Sequence, residues 1–147
     1  MTTPFTSDAE IIAIGEGIVA RTLPKPAWTH AAHFAAAVWL IAGQSAIDPE
    51  RDMPGLIRAY NTATGVPNTD SEGYHETITL ASLRATRAFL ASLPEGTPLF
   101  AACNALLATE LGRRDWLLAY WSRERLFSAE ARRTWMDPDL QPLPFPA

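Results

Sequence analysis

Three histidines stand in this chain, His30, His33 and His75, and imidazole is well suited to hold a divalent metal or carry a proton near neutral pH. His30 and His33 are three residues apart in Trp28-Thr-His-Ala-Ala-His33. On a helix, that spacing puts both rings on one face about one turn apart. His75 is followed directly by Glu76. Several imidazoles and a carboxylate suit zinc, iron, manganese or nickel, so the sequence predicts one divalent-metal site built from His30, His33, His75 and Glu76. Glu76 has three candidate roles there: fourth ligand, base acting on metal-bound water, or acceptor for an imidazole N–H. The alternative is that these are core or capping histidines, with Glu76 an acid in a first turn, where the helix dipole favours it.

An ion with open coordination lowers the pKa of bound water or polarises a carbonyl. The expected function is therefore a metal-dependent enzyme for a small molecule, hydrolytic or of the non-haem-iron oxidising type. Glu76 and Tyr74 are the candidate catalytic proton carriers. Arg58, Tyr60, Asn61, Arg123 and Trp28 are candidate substrate contacts, with packing or surface ion pairs as the alternative for each. Two further functions fit the same residues. One keeps the metal without catalysis, and the other is a metal-free structural or interaction protein, with His75 and Glu76 at most an acid–base pair.

The elements that must position these residues are helical. Ser7 with Glu10 fits a capping box opening a first helix, which Leu23-Pro-Lys-Pro ends. Thr29 is placed to cap a second helix over residues 30–42, with Gly43 just past its end. Asp48-Pro49 starts a third, running to about Thr64. Gly65 to Gly73 is a turn-rich loop, and a fourth helix is predicted over 74–93, stopped by Pro94. Thr97-Pro98 opens a fifth over 99–111, and shorter helices are expected over 115–125 and 128–136. In this frame Phe34, Val38 and Ile41 extend an apolar stripe from His30, and Ile78, Ala81, Ala85, Ala88 and Phe89 extend one from His75. The alanines around His33 let a neighbouring helix approach closely. No alternating run suits a strand. The fold class is all-α: a single-domain bundle of six or seven helices over 1–147, with an extended proline-rich tail from 137.

The segments Trp28-Thr-His-Ala-Ala-His33, Arg58-Ala-Tyr-Asn61, Gly73-Tyr-His-Glu-Thr-Ile-Thr79, Tyr120-Trp-Ser-Arg-Glu124 and Pro138-Asp-Leu-Gln-Pro-Leu-Pro together resemble a bacterial family of small hypothetical proteins. Its hallmarks are an H-x-x-H segment and a Y-H-E-T-I-T segment. The resemblance runs from Trp28 to the tail and implies one functional set, without supplying a reaction. A looser similarity, in architecture alone, is to DinB-type bundles, in which histidines from different helices hold a divalent metal at longer spacings than H-x-x-H.

Composition narrows the classes further. Of 147 residues 48% are hydrophobic, enough for a core without a disulfide or metal staple. The single cysteine, Cys103, lies in an apolar run and reads as a buried free thiol, in keeping with a reducing cytoplasm. Net charge is -4, and the pairs Arg113-Arg114 and Arg132-Arg133 make no basic stripe, so nucleic acid is not an expected partner. No signal-peptide pattern opens the chain and no apolar run approaches a bilayer-spanning length, so no membrane partner is expected and the expected location is cytoplasmic. Oligomeric state is not legible. The tryptophans are mainly core candidates, with Trp28 also able to line a pocket.

Overall fold

The computed structural model describes residues 4–43 and 46–145, and among these it shows seven α-helices and no strand. Helix α1 spans Asp8–Ala20, capped by Ser7, whose hydroxyl accepts the Glu10 N–H at 3.4 Å. The reciprocal arm of the capping box is diverted, because the Glu10 carboxylate accepts from the N–H and hydroxyl of Thr6, each at 2.6 Å. The helix ends on Arg21, in the left-handed region at φ 61°, before the prolines are reached.

Helix α2, His30–Val38, is shorter than its apolar stripe predicts and continues through Trp39–Gly43 as a π-helical turn. The wider turn accompanies the seating of the Trp39 indole against Gly15 of α1, where any added Cβ would collide with the ring. Helix α3 covers Pro49–Ala63, with Asp48 capping Arg51 N–H at 3.0 Å. Helix α4 covers Glu76–Ala91 and α5 covers Leu99–Leu107. Tyr74 and His75 therefore precede α4 instead of forming its first turn.

The predicted helix over 115–125 is two pieces, a 3-10 turn at Trp116–Ala119 and helix α6 at Arg123–Leu126. Trp116 and Trp121 are both buried, at 3% and 0% exposure. Five residues apart, they would point about 140° away from each other on one straight helix. The chain breaks between them and restarts at Ser122, whose hydroxyl caps Arg125 N–H at 3.2 Å. Helix α7, Ala129–Arg133, ends earlier than residue 136.

Helix α2 lies at the centre, packed on α1, α4 and α5. Its alanines explain why: Ala32, Ala35, Ala36 and Ala37 are at most 2% exposed and let three helices come close. Cys103 of α5 is a fully buried free thiol, and burial pushes its pKa up to about 12. The described tail, 137–145, is irregular but docked. Leu140 N–H donates to Tyr120 O at 2.9 Å, Asp139 accepts from Ser122 N–H at 2.8 Å, and Leu143 and Phe145 pack on the core. The last two residues of the predicted tail lie outside the described residues. No described helix is long and apolar enough to cross a membrane.

Candidate functional site

The start of α2 fixes two imidazoles in different ways. Thr29 caps the helix through its hydroxyl, which accepts Ala32 N–H at 3.2 Å. Its carbonyl accepts twice, from His33 N–H at 3.0 Å and from the ring Nδ1 of His33 at 2.6 Å. A carbonyl only accepts, so Nδ1 carries the proton, and in the neutral ring Nε2 holds a lone pair. That Nε2 has no hydrogen-bond partner among the described residues. The Trp28 indole stacks on the same ring at 3.7 Å between centroids, and Tyr60 meets Trp28 edge-on at 5.7 Å. Trp28 covers one face of the ring, but His33 is nonetheless an exposed residue. Its pKa is held down at about 4, chiefly by desolvation, against the opposing Thr29 carbonyl and with help from His30 and Arg114.

His30 reaches the other way. Its Nε2 donates to the carbonyl of Leu111 at 2.9 Å, and its ring meets Phe34 edge-on at 5.2 Å. It thereby ties α2 to the loop that leads into Arg114 and Trp116.

The start of α4 is a joint. Gly73, at φ 86°, turns the chain into it at a point where a Cβ would collide with the Pro67 carbonyl. His75 is the cap of α4: its Nδ1 accepts Ile78 N–H at 3.1 Å, while Nε2 donates to Leu126 O at 2.7 Å. Both ring nitrogens are thus used by the protein. Burial pushes the His75 pKa down, against the Leu126 carbonyl, and the Arg132 guanidinium adds to that direction. The fully buried hydroxyl of Thr77 lies 2.7 Å from Ala131 O and 2.8 Å from Thr134 O, and accepts Met136 N–H at 3.2 Å. Arg132 completes the joint by donating to Gly73 O at 3.1 Å. The Y-H-E-T string is therefore where α4 is bolted to α6 and α7.

Tyr74 and Glu76 face each other instead of a shared ion. The Tyr74 hydroxyl donates to Glu76 at 2.5 Å, and the Arg58 guanidinium lies 4.4 Å over the Tyr74 ring. Burial first, then the Glu76 carboxylate, raises the Tyr74 pKa well above the ordinary phenol value, so the ring keeps its proton. Among the described residues no three of His, Cys, Asp and Glu converge in a way that could hold a metal ion. The four predicted ligands are accordingly not brought together: His30 and His33 share one region, His75 and Glu76 another.

What His30 and His33 share is a cavity of about 390 Å³. The start of α2 supplies Trp28, His30 and His33, and α4 supplies Ile78 and Ser82. The loop after α5 adds Arg114, Asp115 and Trp116, and α6 adds Arg123 and Phe127. Two of its walls are held by histidines, the loop by His30 at Leu111 and α6 by His75 at Leu126.

Of the predicted substrate contacts, Trp28 and Arg123 line this cavity, and Arg58, Tyr60 and Asn61 do not. Tyr60 is 1% exposed and its hydroxyl donates to Leu23 O at 2.8 Å, so it stands behind Trp28 as support. Asn61 donates to Asn68 Oδ1 at 3.0 Å, which also accepts Tyr74 N–H at 3.0 Å, and so shapes the loop before α4. Tyr74 and Glu76 lie outside the cavity lining too. Sequence reasoning missed Arg114, Asp115, Ser82 and Phe127 as site residues. The only sequence signal was the Arg113-Arg114 pair, set aside because it makes no stripe. Comparison with protein-family models, curated proteins and solved structures gives no match for this chain, so the reading of the site rests on its geometry.

Proposed function

We propose that this protein acts on a small molecule in the cavity beside α2, with His33 as the proton acceptor. One observation carries the reading: His33 lines the cavity as a neutral ring whose Nδ1–H is spent on Thr29 O, leaving the Nε2 lone pair without a partner among the described residues. An unprotonated imidazole nitrogen in that state can accept a hydrogen bond from a bound molecule, and with a pKa of about 4 it is a weak base, suited to taking only an acidic proton. The cavity volume falls in the range of small-ligand sites, about 300–1,000 Å³. Trp28 and Trp116 line it, while Trp39 and Trp121 do not, which gives a direct test. In a fragment screen read by NMR on the indole N–H signals, binders are expected to shift Trp28 and Trp116 and leave those of Trp39, Trp121 and Trp135 in place. The His33 nitrogen shifts are expected to show the Nδ1–H tautomer at pH 7. Binders that leave Trp28 and Trp116 untouched, or a His33 ring protonated on Nε2, would refute the proposal.

A divalent metal is the second reading. Its support is the H-x-x-H spacing with one unpartnered nitrogen on each ring, Nδ1 of His30 and Nε2 of His33, beside one cavity. His75 would not join them, because both its nitrogens are occupied. Elemental analysis of untagged protein tests this reading. Near-stoichiometric zinc, iron, manganese or nickel that His33→Ala loses would support it. Metal-free protein whose stability ignores added zinc and iron would remove it.

A further inference from the structure

The arginines of this chain divide sharply. Arg51, Arg84, Arg87, Arg113 and Arg133 form ion pairs with carboxylates. Arg58 covers the Tyr74 ring, and Arg125 and Arg132 donate to backbone carbonyls. Arg21, Arg114 and Arg123 have neither an ion pair nor a side-chain hydrogen bond to any described residue, and of these three Arg114 and Arg123 line the cavity of His33. They come from different elements, the loop after α5 and helix α6, so the fold, not sequence adjacency, brings them together. Both residues are exposed, so an incoming ligand can reach them from solvent. The carboxylate in the lining, Asp115, pairs with Arg113 at 3.6 Å and forms no ion pair with Arg114 or Arg123. In a chain of net charge -4, a cavity with two spare cations is unusual ground.

Most of the rest of the lining is apolar. Phe34, Ile78, Trp116, Leu117 and Leu126 form it, and Phe127 stays 52% exposed at its edge. A large aromatic side chain left half in water beside a cavity is a surface that a ligand's hydrocarbon would cover.

We propose that the cavity takes a small amphipathic organic anion, its carboxylate or phosphate group held by Arg114 and Arg123 and its apolar body laid against Ile78, Trp116 and Phe127. This rests on the small-molecule reading of the same cavity and names the ligand class. Guanidinium groups suit both acid types, because their fork of N–H donors matches two oxygens at once. An anion here also lies beside His33, whose neutral ring does not compete for it.

Calorimetric titration of the full chain tests the assignment with octanoate and octyl phosphate, against the neutral octanamide. At least one of the two anions is expected to bind about tenfold or more tighter than octanamide, and to weaken as salt is added. Which anion binds better separates a carboxylate from a phosphate ligand. Arg114→Gln and Arg123→Gln are each expected to cost about tenfold in affinity for that anion and to leave octanamide unchanged. Arg114→Lys and Arg123→Lys keep the charge and are expected to retain part of the affinity, which separates charge loss from misfolding. Equal binding of anions and amide, no binding of any of the three, or full affinity in both glutamine variants would overturn the assignment. Arginine-dependent anion binding, alongside a His33 ring found protonated on Nε2, would uphold it while removing His33 as the base.

Discussion

The starts of α2 and α4 look alike in sequence, each presenting histidine beside an apolar stripe, but they differ in how the ring is used. His33 bonds back into its own helix, to the carbonyl four residues earlier. A bond of that kind fixes the tautomer with one nitrogen and leaves the other free. His75 bonds in two directions, to the first turn of its own helix and across to Leu126, 51 residues away. A ring held at both nitrogens orders the chain around it and has nothing left for a ligand. His30 matches His33 in this count, with one nitrogen on Leu111 O and one unpartnered among the described residues, but its bond reaches 81 residues along the chain. Availability for chemistry follows the number of nitrogens the fold consumes, and that number falls from His75 to His33.

The largest effect expected from this contrast is on stability, at His75. Replacing it with alanine removes the cap of α4 and leaves the Leu126 carbonyl without its donor at a site only 7% exposed. Loss of a cap costs about 1 kcal/mol, and a stranded buried acceptor about 1–3 kcal/mol more. We expect His75→Ala to lose about 2–4 kcal/mol in urea denaturation, on those two contributions together. A change below about 0.5 kcal/mol would show that the joint is held by Thr77 and Arg132 alone.

Acid is expected to act through the same ring. His75 has a folded pKa below the ordinary value, so the folded state favours the neutral form. Stability from this source is fully present above about pH 6.5 and is lost as pH falls through the folded pKa. The mechanism is specific: a second proton would sit on Nδ1, facing Ile78 N–H, and set donor against donor. His33 is depressed as well, to about 4, but its solvent contact screens the effect on stability. As pH falls from 7 to 5 the urea midpoint is therefore expected to drop, in part through His75. His75→Ala should flatten that fall, and a variant keeping the full wild-type slope would assign it elsewhere.

Helical class was legible because its signals are local. Ser7, Thr29 and Asp48 cap helices within three residues, and Cys103 sits in an apolar run that is buried as its composition implies. The pairing of His30 with His33 was legible for the same reason. What decides their roles was not. The partners of His30 and His75 are main-chain carbonyls 81 and 51 residues away, and a carbonyl carries no residue type to read. Arg113 and Arg114 are identical in sequence terms, yet one meets Asp115 and the other stands free in the cavity. The break between Trp116 and Trp121 was hidden too, because both sides of it are good helix formers and only burying both indoles forces it. Y-H-E-T, the most distinctive string in the chain, proved to be a joint between elements. It reaches the cavity only by holding α6.

The smallest stability effect is expected where the chemistry is proposed. His33→Ala removes one hydrogen bond to Thr29, whose carbonyl keeps the backbone N–H of residue 33 as a donor, and one exposed stacking face for Trp28. No group is stranded, so the cost is expected to stay under about 1 kcal/mol, as for surface substitutions generally. The change should appear instead in Trp28, which loses the ring stacked on it at 3.7 Å and gains solvent, shifting its share of the indole emission to the red. Small-molecule binding should weaken while the denaturation curve stays close to that of the wild type. A stability loss as large as that of His75→Ala would erase the distinction between the two helix starts and return His33 to the scaffold.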